Sequence, residues 1–473
     1  MSVTRYTLII SVLIIPMLFL TGFLRHPADV NTVTDREPPN IIFILTDDQR
    51  WDALGYAGNR IIHTPHLDQL AREGVYFKNA FVTTPICAAS RASLFTGLYE
   101  RTHDYTFGKQ PLSNQYMMES YPYLLRKAGY QTGFVGKFGV KVNQGIEDSM
   151  FTFSKKTAWP YIKEINGQKT HLVDINGNHA IDFIKSNSHR PFCLSLSFWS
   201  PHADDGAKEQ YFWPSYTDSL YLNDQMPLLK TAEPAFFAGL PDFLKKTMNR
   251  ERWYWRFDST DKYQQMVKGY YRMISGVDSV IGRLRSTLQE QGISDNTVII
   301  FMGDNGYFLG DRGYADKWLM YEQSIRVPMI IYDPRQSTAN RNKISGDYVL
   351  NIDVTPTILE LVGIPVPNRY QGVSLTGFLS GKPRTWRQSI FCEHRLEGNP
   401  ALLKTECYRD DQWKFIRYED HPDFFELYDL KEDPYETNNL AMDKKYLRRL
   451  SAYRLKCDSI ASNLISARVS PLH

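Results

Sequence analysis

The stretch Cys87-Ala88-Ala89-Ser90-Arg91-Ala92-Ser93-Leu94-Phe95-Thr96-Gly97 is the part of the sequence from which the rest can be interpreted. Residues 88–96 are small or moderate helix formers, and Gly97 supplies a left-handed stop, so the stretch predicts a short helix starting at Cys87. There, the helix dipole and unpaired N–H groups are expected to lower the pKa of the thiol, and Arg91 shares its face one turn on. A lone cysteine is also commonly a small core residue, and the helix pattern alone leaves both roles open.

The flanking pattern, Cys-x-Ala-Ser-Arg-x-x-x-x-Thr-Gly, favours the reactive role. It resembles the signature of the type I, formylglycine-dependent sulfatases of the alkaline-phosphatase superfamily, with Ala89 where the family more often has proline. The resemblance implies that a formylglycine-generating maturation enzyme oxidises Cys87 to formylglycine (3-oxoalanine), whose hydrate attacks the sulfur of a sulfate ester. It also implies an α/β fold, with a large, mostly parallel central sheet flanked by helices. A small C-terminal subdomain with a short antiparallel sheet and a helix completes the expected fold.

The composition is that of a globular protein. Of the 473 residues, 42% are hydrophobic and 23% are charged, which excludes a wholly disordered chain. The formal net charge is +3, so a nucleic-acid partner is not indicated. The 5 cysteines do not make a disulfide scaffold, and Cys87 is the natural odd one if the others bridge. Cys392 and Cys407 are close enough in sequence to bridge a hairpin, and two buried free thiols explain them equally well.

An apolar run over residues 6–24 follows Arg5 near the N-terminus. This layout is typical of a secretory signal and predicts an exported protein, either periplasmic or secreted. The run is nearly long enough to span a bilayer and no clear small-x-small cleavage site follows it, so an uncleaved membrane anchor is the alternative. The predicted organisation is therefore a signal peptide or anchor (1–25), a linker (26–38), a catalytic domain (39–385) and a C-terminal subdomain (386–473).

Two apolar runs of strand length end in oxygen donors: residues 40–45 in Asp47 and Asp48, and residues 297–302 in Asp304 and Asn305. Ligands bind at the carboxyl ends of strands in open α/β sheets, and adjacent carboxylates there need a cation or a proton. A solvated acidic turn is the alternative for the first run, but its recurrence favours a metal site. The oxygen ligands suit one hard cation, Ca²⁺ in preference to Mg²⁺. The resemblance implies that oxidised Cys87 adds oxygens to the same ion.

Three further segments resemble motifs of the family: Gly136-Lys137-Phe138, Pro201-His202, and the stretch from Gly306 to Pro328 that contains Lys317. The resemblance implies that Lys137 and Lys317 bind sulfate oxygens and that His202 protonates the leaving oxygen. Without it, such residues would be interpreted as solvated or hydrogen-bonding side chains. The predicted catalytic residues are Cys87, Arg91, Lys137, His202 and Lys317. Gly139 stands where the family has a histidine, and the base for breakdown of the sulfated intermediate is left open between His103, Lys141 and water.

The insertion over residues 205–262 is rich in aromatic residues and arginine. Trp253, Trp255 and Arg256 could stack sugar rings and pair with sulfate or carboxylate, but aromatic packing inside a long insertion explains them equally well. Export and this insertion favour a sulfated polysaccharide or its oligosaccharides as the substrate. The remaining predicted substrate-binding residues are His103, Arg312 and His394.

Helix and strand patterns alternate between the motifs, as expected for the α/β class. The predicted helices are residues 121–128, 179–187, 263–291, 354–362 and 444–464. The predicted strands are residues 130–135 and 191–198, followed by short ones at 389–392, 403–407, 413–417 and 427–430. The apolar stripe of the longest helix is predicted to be core.

Because the motifs agree in order and context, the sequence predicts a sulfuric ester hydrolase. One alternative is a phosphodiesterase or phosphonate monoester hydrolase of the same superfamily, since a metal cradle also suits phosphoryl transfer. The other is a non-catalytic protein that binds sulfated glycans on a decayed fold, which Gly139 suggests.

Overall fold

The computed structural model describes Met1 and residues 37–382 and 385–468. The chain divides into two compact units, Met1–Glu37 and Pro38–His473, and the predicted catalytic residues belong to the second. Apart from Met1, the predicted signal peptide or anchor lies outside the described residues and stays a prediction. In the part of the chain that the structure describes, no helix is both long and apolar enough to cross a membrane.

The strands account for the sheets of the second unit. They are β1 Asn40–Thr46, β2 Val75–Phe81, β3 Gln131–Gly136, β4 Phe153–Lys156, β5 Ile162–Ile165, β6 Gln168–His171, β7 Phe192–Ser197, β8 Thr297–Gly303, β9 Phe308–Leu309, β10 Ala315–Asp316, β11 Arg326–Val327, β12 Met329–Tyr332, β13 Lys343–Leu350, β14 Ser389–His394, β15 Thr405–Asp410, β16 Trp413–Tyr418 and β17 Phe425–Asp429.

The helices flank these sheets. They are α1 Pro65–Glu73, α2 Cys87–Thr96, α3 Glu100–His103, α4 Asn114–Met117, α5 Tyr121–Lys127, α6 Ile146–Met150, α7 Leu172–Asn187, α8 Pro234–Ala238, α9 Asp242–Lys245, α10 Met248–Arg256, α11 Thr260–Glu290, α12 Glu322–Ile325, α13 Val354–Leu361, α14 Thr376–Leu379 and α15 Leu447–Ser466.

A large mixed sheet forms the centre of the fold. Within the described residues it has nine strands in the order β11-β2-β12-β8-β1-β7-β3-β4, with β13 paired to β2. The neighbours β8, β1, β7 and β3 are parallel to one another, whereas β11 and β12 pair antiparallel with the strands beside them. The four parallel strands therefore end at one edge of the sheet, where the predicted site residues follow.

Alternate residues of β1 face two separate apolar layers, because successive side chains of a strand point to opposite faces. Ile41, Phe43 and Leu45 lie in a core cluster with residues of α2, α5 and α13. Ile42 and Ile44 lie in a second cluster with residues of α1, α7 and α11. Burial on both faces explains why β1 and β8 appear in the sequence as uninterrupted apolar runs.

The C-terminal part has its own small antiparallel sheet, β14-β15-β16-β17, on which α15 packs. The predicted subdomain architecture is confirmed. Cys392 and Cys407 are register partners on β14 and β15. All of the cysteines are buried free thiols, so the structure favours the thiols over the bridge.

Candidate active site

Four strand ends and one helix start bring the predicted catalytic residues together. Asp47 and Asp48 follow β1, Asp304 and Asn305 follow β8, Lys137 follows β3, and the segment after β7 carries His202; Cys87 begins α2. Lys317 follows the short strand β10. Each of these side chains is buried or nearly so, and Cys87 is 5% exposed.

Cys87 is the first residue of α2, and Ile86 precedes it in an extended conformation. Gly97 ends the helix at a φ of 67°, in the left-handed region that glycine adopts readily. The prediction that the thiol of Cys87 has a lowered pKa is wrong. Burial raises this pKa more than the positive charges of Lys137 and Lys317 lower it. The helix start therefore positions the side chain without making an exposed thiolate.

Arg91 joins the thiol helix to the strand ends. Its Nε donates to Asp304 Oδ2 at 2.9 Å, and its NH1 donates to the Lys137 carbonyl oxygen at 2.7 Å and to Ser197 Oγ. The third nitrogen, NH2, lies 3.5 Å from Asp47 Oδ2. The side chain is 2% exposed, so these contacts fix the guanidinium rather than leave it to solvent.

The carboxylates are balanced by two lysine ammonium groups. Lys137 Nζ donates to Asp47 Oδ2, and Lys317 Nζ donates to Asp48 Oδ1. Lys137 also lies over the Trp199 ring, with 4.6 Å between Nζ and the ring centroid. Positive charges are thus concentrated around Cys87, as binding of an anionic group requires.

The pKa values of Asp47 and Asp304, the two aspartates that contact Arg91, are shifted in opposite directions. Burial alone would raise the pKa of Asp47, but Lys137, His202, Arg91 and Lys317 outweigh it and hold that pKa well below its usual range. Burial and the negative charge of Asp47 raise the pKa of Asp304 to about 7. Asp304 therefore holds a proton more readily than a free carboxyl group, unless a further cation offsets the charge of Asp47.

The donor set fits a hard divalent cation. Among the described residues, Asp47 Oδ1 and Asn305 Oδ1 are buried atoms without a hydrogen-bond partner. Asn305 Nδ2 donates to Asp48 Oδ1 at 2.7 Å, so the amide belongs to the same cluster. Ligand atoms of Asp47, Asp48 and His202 lie within 4.8 Å of one another. Carboxylate and amide oxygens of this kind suit Ca²⁺ or Mg²⁺ better than zinc.

His202 has one ring nitrogen fixed by the backbone. Its Nδ1 lies 2.6 Å from the Ala203 carbonyl oxygen, which can only accept, so Nδ1 carries the hydrogen. The other nitrogen, Nε2, lies 3.6 Å from Asp48 Oδ2. This orientation leaves Nε2 for the pocket beside Cys87.

A pocket of about 460 Å³ opens above Cys87. Lys137, His202 and Lys317 also line it, and most of the remaining lining is aromatic or aliphatic: Ile86, Phe107, Phe138, Trp159, Trp199, Trp318, Leu396 and Leu402. Asp205 and Arg252 contribute a charged wall. Arg252 belongs to the aromatic and arginine-rich insertion that the sequence pointed to, whereas Asp205 was not predicted. Aromatic faces beside a few polar groups are typical of small-ligand and carbohydrate pockets.

Three predicted substrate-binding residues lie elsewhere, which corrects the prediction. His103 Nε2 lies 3.0 Å from Ser93 Oγ, and burial lowers the pKa of this histidine to about 3. His394 is fully buried against the Leu403 carbonyl oxygen, with its pKa lowered to about 4 by burial. Arg312 donates to the carbonyl oxygens of Tyr435 and Glu436. All three side chains make hydrogen bonds within the protein interior, and none of them lines the pocket.

The insertion residues divide between packing and support. Arg256 is fully buried and pairs with Asp205 and Asp316. It does not line the pocket, which corrects the prediction that it binds the substrate. Trp253 packs under Arg250, 3.8 Å from its guanidinium carbon to the ring centroid. Trp255 is 37% exposed but does not line the pocket, and its stacking on a sugar ring stays a prediction.

Gly139, the position that differs from the family, has a backbone reason to be glycine. Its φ is +71°, and an added Cβ would lie 2.7 Å from Arg91 Cδ. A side chain there would displace the arginine that holds Asp304. His103 is committed to Ser93 behind α2, so it does not supply the missing histidine.

Gly139→Ala is therefore expected to lower the free energy of unfolding by about 1–3 kcal/mol through backbone strain and the Arg91 contact. Denaturant midpoints measure the change. Gly145→Ala is the matched control, because Gly145 has a similar φ of +81° and nothing within 4 Å of an added Cβ. Equal midpoints for the two variants would show that Arg91 does not constrain position 139.

The fold and site together define an α/β protein in which Lys137, Lys317 and His202 surround Cys87 in one pocket. The sulfatase family model matches residues 39–364, and the model for the C-terminal part of N-sulphoglucosamine sulphohydrolase matches residues 310–458. The chain belongs to the sulfatase family and is a sulfuric ester hydrolase.

Characterised relatives cover nearly the whole chain. An N-acetylglucosamine-6-O-sulfatase of Bacteroides thetaiotaomicron is 28% identical, covering 87% of this chain and 84% of that protein. An arylsulfatase of Clostridium perfringens is also 28% identical, covering 88% and 93%. A structure solved with its substrate D-glucosamine-2-N,6-O-disulfate shares the fold with a TM-score of 0.76 at 24% identity, covering 90% of this chain and 98% of that one.

Proposed function

We propose that the chain hydrolyses sulfate esters of sulfated saccharides, using a nucleophile made by oxidation of Cys87 to formylglycine. The observation that carries the proposal is the convergence of Lys137 and Lys317 on the pocket at Cys87. Beside them lie the side-chain oxygens of Asp47, Asp48, Asp304 and Asn305, which we call the oxygen cluster. A formylglycine-generating enzyme would be the partner in maturation. Export, proposed from residues 6–24, would bring the enzyme to extracellular glycans.

Amino-sugar sulfates are the substrate class that the relatives favour. The names of the Bacteroides relative and of the substrate complex both refer to sulfated glucosamine. The aromatic pocket lining of this chain, which includes Trp159, Trp199 and Trp318, suits the apolar faces of a sugar ring. We therefore expect hydrolysis of sulfated glycosaminoglycan fragments.

Asp47, Asp48, Asp304 and Asn305 would hold the divalent cation, for which we propose Ca²⁺, together with the oxidised side chain at position 87. When bound, the cation would stabilise negative oxygen, and formylglycine would provide the nucleophilic oxygen. The unpartnered Asp47 Oδ1 and Asn305 Oδ1 support this assignment. Oxygen-only coordination fits calcium chemistry.

Lys137 and Lys317 would bind the sulfuryl oxygens. Both ammonium groups are buried beside Cys87, where electrostatic stabilisation is stronger than in water. Burial alone would lower the pKa of Lys317, but Asp48, Cys87 and Asp316 outweigh it and hold that pKa well above its usual range, so the lysine stays cationic. Arg91 would act as a positioning residue, because it contacts Asp304 and the Lys137 backbone.

His202→Ala is expected to lose about 10²–10⁴-fold of kcat on a sugar sulfate, because a sugar alkoxide needs a proton donor to leave. On an aryl sulfate with a nitrophenolate leaving group, the loss should be less than about tenfold. Steady-state kinetics with N-acetylglucosamine 6-sulfate and 4-nitrophenyl sulfate measure both. Because Nδ1 keeps its hydrogen on the Ala203 carbonyl oxygen, the proton given to the leaving oxygen would be the Nε2 proton of the imidazolium form, and neutral His202 with hydrogen on Nδ1 would remain.

Lys317→Ala is the contrasting variant and should lose about 10²–10³-fold on both substrates, because the sulfuryl oxygens are common to them. Equal losses on the two substrates in His202→Ala would assign that histidine to sulfate binding and the acid to another residue.

The proposed reaction is tested with purified enzyme whose formylglycine content has been measured. Turnover of 4-nitrophenyl sulfate should exceed turnover of a matched aryl phosphonate monoester. A screen of sulfated glycosaminoglycan fragments should then identify the saccharide. Higher activity on the phosphonate, or binding of glycans without any turnover, would contradict the proposal.

A further inference from the structure

The charged wall of the pocket is formed by Asp205 and Arg252, the two charged residues of its described lining that lie outside the catalytic set. Their side chains are 24% and 17% exposed. Neither belongs to the oxygen cluster that would hold the cation. Because they line the same pocket as Lys137 and Lys317, a substrate whose sulfate group bound to those lysines could contact them with its sugar.

Two more deeply buried residues, Arg256 and Asp316, hold Asp205 and Arg252 in place. Arg252 NH2 lies 2.8 Å from Asp205 Oδ2, and Arg256 NH2 donates to Asp205 Oδ1. Both arginines also donate to Asp316 Oδ2: Arg252 through NH1, and Arg256 through NH1 at 3.1 Å. Arg256 is fully buried, and its Nε donates to Gln210 Oε1 at 2.7 Å. The Asp205 carboxylate is thus fixed at both oxygens, and the geometry is set before a ligand arrives.

The four charges of this group cancel: two arginines face two aspartates. A carboxylate on the substrate would meet an Arg252 guanidinium that is already paired with Asp205 and Asp316, and it would lie close to the Asp205 carboxylate. A hydroxyl or amide N–H would instead find an ionised acceptor, since each carboxylate oxygen has a second lone-pair direction. Such hydrogen bonds to a charged group are stronger than neutral ones.

We infer that Asp205 accepts a hydrogen bond from a hydroxyl or N–H of the sugar that carries the sulfate, and so selects sulfate esters of neutral or amino sugars over those of uronic acids. This inference rests on the proposed sulfatase activity. Arg252 and Arg256 act as positioning residues for Asp205. The adjacent Trp318 ring, 5.1 Å from the Arg252 guanidinium carbon, provides an apolar face beside the acceptor.

Asp205→Asn should lower kcat/KM on N-acetylglucosamine 6-sulfate about tenfold more than on 4-nitrophenyl sulfate, mainly through KM, because it replaces a charged acceptor that two arginines fix with a neutral amide. The ratio of kcat/KM on a uronic acid 2-sulfate to that on the amino-sugar sulfate should rise. Asp204→Asn is the matched control with an unchanged ratio, because the Asp204 carboxylate accepts from the Gly206 N–H and does not line the pocket.

Binding separates recognition from turnover. In a Cys87→Ser background, calorimetric titration with N-acetylglucosamine 6-sulfate should show a Kd about tenfold or more higher when Asp205→Asn is added. If that variant does not fold, the substrate preference of wild-type enzyme tests the inference instead. Wild-type enzyme should then prefer the amino-sugar sulfate to the uronic acid sulfate by about tenfold or more in kcat/KM.

The outcomes distinguish this inference from the activity on which it rests. Wild-type enzyme that turns over neither aryl nor sugar sulfates overturns the proposed function. Enzyme that hydrolyses 4-nitrophenyl sulfate but shows the same sugar selectivity with and without the Asp205 carboxylate overturns the inference alone. A wild-type preference for the uronic acid sulfate does so as well.

Discussion

Cys87→Ser is expected to reduce sulfate ester hydrolysis to background while the protein stays folded. The side chain lines the pocket at the start of α2 and is not a filler of either apolar layer. Serine is close in size to cysteine, so the free energy of unfolding should change by less than about 1 kcal/mol. The variant is produced in a host without a maturation system for serine. Turnover of 4-nitrophenyl sulfate and thermal unfolding of the purified protein measure the two effects.

Peptide mass spectrometry of the active wild-type enzyme should find formylglycine in the peptide that contains Cys87. Cys392→Ala is the control for loss of a buried thiol far along the chain, since Cys392 lies in the C-terminal sheet, and it should keep the activity. A fully active preparation that contains only unmodified thiol at position 87 would refute the assignment.

The strand ends were predictable because their sequence signal is local. β1 and β8 each contain an uninterrupted apolar run of five residues, and each is followed by at least one aspartate, so both the strands and the shared edge follow from pattern alone. The long helix α11 was also predictable, since its apolar stripe keeps helical spacing over many turns.

Other elements depend on contacts that the sequence does not display. β2 and β13 alternate buried with exposed positions irregularly, and neither was predicted. Helix α7 starts at Leu172, seven residues before the predicted start, although its first turns include Gly177. That glycine is required by packing, because an added Cβ would lie 2.8 Å from Val280 Cγ1 of α11. Tertiary contact here overrides helix propensity.

The substrate-binding predictions failed for a related reason. A histidine or arginine near a motif looks available in sequence, but His103, Arg312 and His394 are buried and make their hydrogen bonds within the protein, away from the pocket. The charged wall, in contrast, joins the loop after β7 to α10, and its parts are about 50 residues apart. Only the fold brings Asp205 against Arg256.

Asp304→Ala is expected to abolish both metal binding and turnover. The carboxylate belongs to the oxygen cluster and also accepts from Arg91 at 2.9 Å. Lys137 and Lys317 already neutralise Asp47 and Asp48, so the main structural cost is a buried arginine that has lost its closest carboxylate. Breaking such a buried pair lowers the free energy of unfolding by about 3 kcal/mol. Elemental analysis, denaturant unfolding and 4-nitrophenyl sulfate turnover measure the three effects.

Asp304→Asn separates the charge from the contact, because an amide oxygen can still accept from Arg91. We expect it to recover most of the lost stability but not the metal or the activity, since the cation needs the carboxylate charge. Exhaustive chelation of wild-type enzyme should likewise remove activity, and Ca²⁺ should restore it better than Mg²⁺. Stoichiometric metal and normal turnover in Asp304→Ala, or full activity after chelation, would show that these oxygens do not form the metal site.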